Sequence, residues 1–237
     1  MVRIEVSDKE NLNKNLLYIQ NTLSEVFRQT GTKVSLNVFM GRAILNIDCE
    51  DFYYPLILSE VYDKIADIIA IGYKYYFLAP LLKPVGLSKK ETDFLLTAII
   101  GADYPDDKRY ILSKLNGIDN PSIDGIFNFK LKLLKEKWTE IACFMPKTFD
   151  YLKLKDFINY LIVDKNDKIF VENGKVYDTH YRQILRADLT PLDKKHKLIN
   201  EIILSLPGEI ELRGSIDNED ENFLKELFGS KIIFKMR

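Results

Sequence analysis

Cysteine is nearly missing from this chain, with only Cys49 and Cys143 in 237 residues. Two thiols cannot build a disulfide framework, and neither belongs to a CxxC pair or a zinc spacing, so both are read as reduced and buried. Histidine is as scarce. His180 and His196 stand sixteen positions apart, which leaves a histidine-based relay or metal site few possible members. No glycine-rich phosphate loop and no G-x-S-x-G elbow occurs, so nucleotide hydrolysis and α/β-hydrolase chemistry lose their usual signatures. No catalytic residue, metal ligand or cofactor is assigned. Net charge is lacking too: 34 basic against 35 acidic residues leaves −1. Without a global pull on phosphate, nucleic acid is a disfavoured partner. Long hydrophobic runs are also absent. Ile65 to Leu82 comes nearest, but Asp67 and Lys74 divide it and Pro80 ends it, whereas a spanning helix needs about 20 apolar residues in succession. The N-terminus alternates at once (Val2-Arg3-Ile4-Glu5-Val6), so no signal peptide is read and a cytoplasmic location is expected.

What is present is enough for a core. The 46% hydrophobic content over this length is compatible with one large domain or two small ones. Val2–Val6 reads as a strand, Leu12–Phe27 as an amphipathic helix ended by Gly31, and Val34–Met40 and Arg42–Ile47 as two strands joined at Gly41. Val34, Leu36, Val38 and Met40 alternate, which predicts one covered sheet face. From Phe52 to about Leu82 a helical period takes over, with Leu56, Val61, Ile65, Ile68 and Ile69 expected inward. Tyr73, Tyr75, Tyr76 and Phe77 are expected to pack a helix end with their hydroxyls at the surface. Ser88 and Glu91 form a capping box opening a helix through Ile100. Tyr104-Pro105-Asp106-Asp107 reads as a turn before a short helix to Leu115.

The longest regular stripe comes next. Phe127, Leu131, Leu134, Trp138, Ile141 and Met145 follow helical spacing, so one helix is predicted from Ile123 to Met145, capped by Ser122 and closed by Pro146. Tyr151–Val163 adds another helix. Asn173-Gly174 between Ile169 and Tyr177 is a hairpin signal, and Tyr181–Leu189 is read as a strand. A helix from Thr190-Pro191 to Ser205, a strand Glu209–Arg213, a helix Glu219–Phe228 and a strand Lys231–Lys235 complete the chain; the last three suit a parallel βαβ crossover. The fold class is α+β, with small mixed sheets near both chain ends and a largely helical middle. The division is 1–50 as a βαββ unit, 51–163 as helices and 164–237 as an α/β unit, within one compact domain or several. Pattern leaves open whether the terminal strands share a sheet.

Two groups of residues are candidate sites. Lys130, Lys132 and Lys135 flank the long stripe with Trp138 at its far end, an arrangement suited to phosphates or an acidic partner. His180, Tyr181 and Arg182 follow the hairpin and form a second, polar candidate. Asn218-Glu219-Asp220-Glu221 gathers acids, but at a helix start, where they complement the dipole.

The run Ile123-Asp124-Gly125-Ile126-Phe127-Asn128-Phe129-Lys130-Leu131-Lys132, then a hairpin, a helix ending at Leu206-Pro207 and Glu209-Ile210-Glu211-Leu212-Arg213, resembles the YtxC-like family of sporulation proteins. That family carries I-x-G-F-x-x-F-R-L-K at the first place. The likeness covers the chain from Pro121 on, with Lys130 where the family has arginine and no cysteine closing the last strand. It implies a cytoplasmic protein of endospore-forming bacteria and lends no catalytic residue. Two function classes follow: a non-enzymatic interaction or regulatory protein with a protein partner, or a small-molecule binder or enzyme with a cleft of carboxylates, tyrosines and Arg182 or Arg213. A flat apolar patch favours the first and a pocket of convergent ionisable groups the second.

Overall fold

The computed structural model describes residues 1–214 and 216–235. The chain begins with β1 (Val2–Lys9), α1 (Asn13–Thr22), α2 (Ser24–Gln29), β2 (Lys33–Phe39) and β3 (Arg42–Cys49). The helix expected over Leu12–Phe27 is thus two, divided at the buried Leu23. Gly31, at φ +65, ends the second as a left-handed cap. The sheet is antiparallel in the order β1-β3-β2. Register sets Ile47 between Ile4 and Val34, and Leu45 between Val6 and Leu36, so one face becomes a ladder of branched side chains. The expected cover on β2 is incomplete. Val38 and Phe39 are exposed, and Met40 belongs to the turn with φ 49.

Next come α3 (Tyr54–Asp67), a π-helical stretch (Ile68–Tyr73) and α4 (Lys74–Leu78). Leu56 proves exposed, and Ile57 is buried in its stead. The wider π turn shifts the helical register, and Lys74 beyond it is wholly buried. The tyrosine hydroxyls are not all at the surface, since Tyr73 donates to Asp8 Oδ1 (2.6 Å) and Tyr75 to Asp93 Oδ1 (2.8 Å).

The capping box is formed, with the Ser88 amide donating to Glu91 Oε2 (2.7 Å) and the Glu91 amide to Ser88 Oγ (3.3 Å). The helix it opens, α5 (Lys89–Leu115), does not stop at Tyr104–Asp107 but continues through Pro105. Proline forfeits one backbone bond there. Burial holds the helix on either side, at Leu95 and Ile99 before it and Ile111 and Leu115 after it.

The predicted Ile123–Met145 helix breaks in two: α6 (Ile123–Phe129) and α7 (Lys132–Phe144). Phe127 and Trp138 explain the break. In one straight helix, residues eleven apart lie roughly 16 Å apart along the axis, yet their rings stack at 6.3 Å. The chain folds back at the buried Leu131, and Lys135 Nζ donates to the Asn128 carbonyl (3.0 Å) at the break. Ser122 still caps α6, accepting from the Gly125 amide.

After α8 (Tyr151–Ile162), β4 (Lys168–Glu172) and β5 (Lys175–Tyr177) form the predicted hairpin, with Asn173 and Gly174 both at positive φ. Tyr181–Leu189 is not a strand; it is a turn followed by a 3-10 turn at Arg186–Leu189. A helix does not start at Thr190, since α9 spans Lys197–Ser205. Then β6 (Glu209–Arg213), α10 (Asn218–Phe228) and β7 (Ile232–Lys235) make the parallel crossover. The second sheet is mixed, in the order β5-β4-β6-β7, and separate from the first.

The chain divides into two compact units, each made of two stretches: Met1–Lys74 with Pro105–Glu140, and Tyr75–Tyr104 with Ile141–Arg237. Within the second unit, a Cβ on Gly101 of α5 would lie 2.6 Å from the Leu204 carbonyl oxygen of α9. Exposed mid-helix glycine to alanine ordinarily gains about 1 kcal/mol. Here Gly101→Ala should instead lose about 1–3 kcal/mol through overpacking, read from urea unfolding; a gain would show that the two backbones tolerate a methyl group. Among the described residues no helix is long and apolar enough to cross a membrane.

Candidate functional site

A cleft of about 410 Å³ opens in the second unit, between the β4–β5 turn, the Gln183–Leu185 segment, α9 and the start of α10. Local chemistry shapes each wall. The carboxylate of Asp178 accepts from the amides of His180 and Arg182 (both 2.9 Å), tying a tight turn in which Tyr181 takes φ +61. The chain then doubles back, and the Ile184 amide donates to the Val176 carbonyl (2.8 Å), which lays the segment beside β5. Asp217 caps α10 by accepting from the Glu219 amide (2.8 Å).

Glu201 is the singular group. It sits in α9, where every residue from Leu198 to Leu204 is buried, and is 3% exposed. Oε2 accepts from the Ala187 amide (2.7 Å), while Oε1 is buried with no hydrogen-bond partner among the described residues. Burial pushes its carboxyl up to about 7, against the Ala187 amide, the Arg186 charge and the Arg186 amide, which all favour ionisation, with Asp188 adding a little to the rise. A carboxyl so placed gives up or holds a proton near neutrality. Asp220, on the same cleft, is also raised, chiefly by burial and then by Asp217 and Glu219, against His196 and Lys90.

The basic side chains of the cleft are largely taken. Lys195 pairs with Glu219 (3.2 Å) and Lys197 with Asp188. Lys175 and Asp220 have no ion pair among the described residues.

The residues singled out from the sequence lie elsewhere. Lys130 and Lys132 are exposed, Lys132 near Glu136 (3.7 Å), while Lys135 lies over the Phe127 ring. Trp138 is fully buried and donates from Nε1 to Asp107 Oδ2 (2.8 Å), so these four do not form one surface. His180 is exposed, and Arg182 pairs with Asp178 (2.9 Å). Tyr181 stacks on Tyr177 at 5.1 Å and donates to Glu172, with the Arg213 guanidinium 5.5 Å from its ring. Arg213 in turn donates to Glu211 (2.6 Å), which also meets Lys168 (2.9 Å); the two cations hold the Glu211 carboxyl down at about 2. That ladder satisfies itself, and neither Tyr181, Arg182 nor Arg213 lines the cleft. Of the acidic run, Glu221 pairs with Lys225 (2.6 Å) and Asp220 reaches the cleft. Among the described residues no three potential metal ligands gather.

Sequence reasoning passed over Glu201, Lys175 and Gln183. A signal for Glu201 did exist, in the polar pair Asn200-Glu201 set inside the run Leu198 to Leu204. Asn200 is satisfied by Thr97 (3.2 Å) and by the His196 carbonyl (2.9 Å), which sets Glu201 apart. Comparison with family models, with curated proteins and with solved structures finds no match.

Proposed function

We propose that this chain is a small-molecule-binding protein acting through the cleft above α9, in a regulatory rather than a catalytic capacity. The observation that carries the reading is the make-up of the cleft: the buried Glu201 carboxyl, raised to about 7, stands in a wall beside Lys175 and Asp220, neither of which has an ion pair among the described residues. The volume, about 410 Å³, falls in the range of roughly 300–1,000 Å³ typical of ligand pockets. A regulatory role in the cytoplasm of sporulating cells is the setting that the sequence resemblance supplies.

Thermal unfolding against a collection of small polar metabolites tests the reading. A ligand at a hundred times its dissociation constant adds about 2.7 kcal/mol of stability, a readily visible rise in Tm. At least one compound should produce it in the wild type and fail in the charge-reversed rim variant Lys175→Glu/Asp220→Lys. If no compound stabilises the protein, or the rim variant responds equally, the cleft is not a binding site.

A further inference from the structure

The sheet of the first unit has two edges, and the chain treats them differently. Along β1, the Ser7 amide donates to the Pro121 carbonyl (3.0 Å), the Glu5 amide donates to Asn120 Oδ1 (3.0 Å), and Ser7 bridges to Ser122. That edge is closed. The other edge is β2, since the strand order is β1-β3-β2. Its turn at Met40-Gly41 has both residues at positive φ, the I′ form, so Phe39 and Arg42 close it as a hydrogen-bonded pair. Alternation then points the backbone N–H and C=O of Val34, Leu36 and Val38 away from β3. Among the described residues nothing donates to them or accepts from them. An open row of this kind templates another strand, and edges are ordinarily blunted by proline, a bulge or an inward charge. β2 has none of these, and its one charged residue, Lys33, stands at its start. The side chains are left open as well. Val34, Leu36 and Val38 face the same way as the buried Ile47, Leu45 and Ala43, but α1 packs against β1 and β3, and Val38 stays 52% exposed.

We infer that this edge is where two copies of the chain meet, β2 against β2, antiparallel about a twofold axis at Leu36, which joins two three-stranded sheets into one. In that register the strand is complementary to itself. Leu36 meets Leu36, Val34 meets Val38 on either side of the axis, each pair exchanges both backbone bonds, and the apolar faces coincide. On the opposite face Ser35 meets Asn37, and Lys33 meets the 62% exposed Phe39 of the second copy, a cation beside a ring. The two Lys33 ammoniums lie at opposite ends of the ladder, so no like charges are opposed. A foreign strand would have to supply this order of residues; a second copy already carries it. Assembly also stops at two. Pairing uses both β2 edges while both β1 edges stay closed by segment 120–122, so the contact is isologous and does not propagate. A ladder of 7 residues a side falls below the roughly 1,200 Å² at which stable interfaces begin, so the dimer is weak and depends on concentration.

Sedimentation equilibrium of the full chain from about 1 to about 500 μM spans the affinities of such an interface. The wild type should pass from monomer to dimer. Two variants place charge at positions exposed in the monomer: Ser35→Asp/Asn37→Asp sets acid against acid across the axis, and Ser35→Lys/Asn37→Lys sets base against base. Each alone should weaken the dimer at least tenfold, and an equimolar mixture of the two should restore it. In the wild type, with no substitution, amide exchange at Val34, Leu36 and Val38 should slow as concentration rises through the same range. A wild type that stays monomeric throughout overturns the proposal. So do a dimer that both variants keep, assembly beyond two, variants that fail to recover each other on mixing, and exchange in β2 that ignores concentration.

Discussion

Asp107→Ala should destabilise the first unit by about 3–5 kcal/mol, because it removes a buried carboxylate to which a buried lysine, a second lysine and an indole all donate. Asp107 and Lys74 are both 0% exposed. Lys74 Nζ donates to Asp107 Oδ2 at 2.7 Å, Trp138 Nε1 donates to the same oxygen at 2.8 Å, and Lys137 Nζ donates to Oδ1 at 2.8 Å. The lysine also lies 5.5 Å from the Trp138 ring. One carboxylate therefore satisfies three donors drawn from α4 and α7. Removing it costs more than the pair itself contributes, since the buried donors lose a charge-assisted bond while keeping their desolvation penalty. Against a total stability of roughly 5–15 kcal/mol, such a loss lowers the urea midpoint by about a fifth or more. The double replacement Lys74→Met/Asp107→Leu should recover most of it, as apolar substitutes of similar size often do. An Asp107→Ala protein with an unchanged midpoint would show that the three donors find other acceptors, in the protein or in water.

A Glu201→Gln protein should lose a pH dependence that the wild type has. In the folded chain burial raises the Glu201 carboxyl to about 7 from its ordinary value of 4.5. Its folded value is the higher, so the folded state binds the proton more tightly than the unfolded chain does. The associated stability is fully present below about pH 4.5 and is lost as pH rises through about 7. That window corresponds to about 3 kcal/mol. Glutamine cannot ionise, so the wild type should fall by about that amount relative to Glu201→Gln between pH 4.5 and 8. Urea unfolding at several pH values in that interval measures the difference directly, and other titrating groups, Asp8 among them, cancel between the two proteins. Parallel pH profiles would mean that Glu201 is solvated and ordinary.

The parts of the candidate site differ in how legible they were. Asn173-Gly174 and the Asp217 cap could be read or nearly read, because a positive φ and a free amide at a helix start are demands met within a few residues. Lys130, Lys132, Lys135 and Trp138 were grouped by a helical period that the chain does not keep. Trp138 was drawn into the core by Asp107 and Phe127, residues eleven or more positions away. Tyr181 and Arg182 seemed poised as a polar site, yet Asp178, Tyr177 and Glu172 already satisfy them. Glu201 was missed because the same letters would spell an exposed glutamate if α9 presented its other side.

By itself the sequence determined the class and most of the elements: α+β, strands near both ends, a Ser88–Glu91 box, a hairpin at Asn173-Gly174 and a parallel βαβ close. It did so because capping, turn conformation and strand alternation are local effects, each settled by side chains within one or two turns of one another. Only the tertiary structure decided the rest. It broke the long helix at Lys130–Leu131, carried α5 through Pro105, set Lys74 against Asp107 and left Glu201 with an unpaired oxygen in the wall of a cleft. In each of these the local preference amounts to a few kcal/mol at most, and burial against residues distant in sequence outweighs or redirects it.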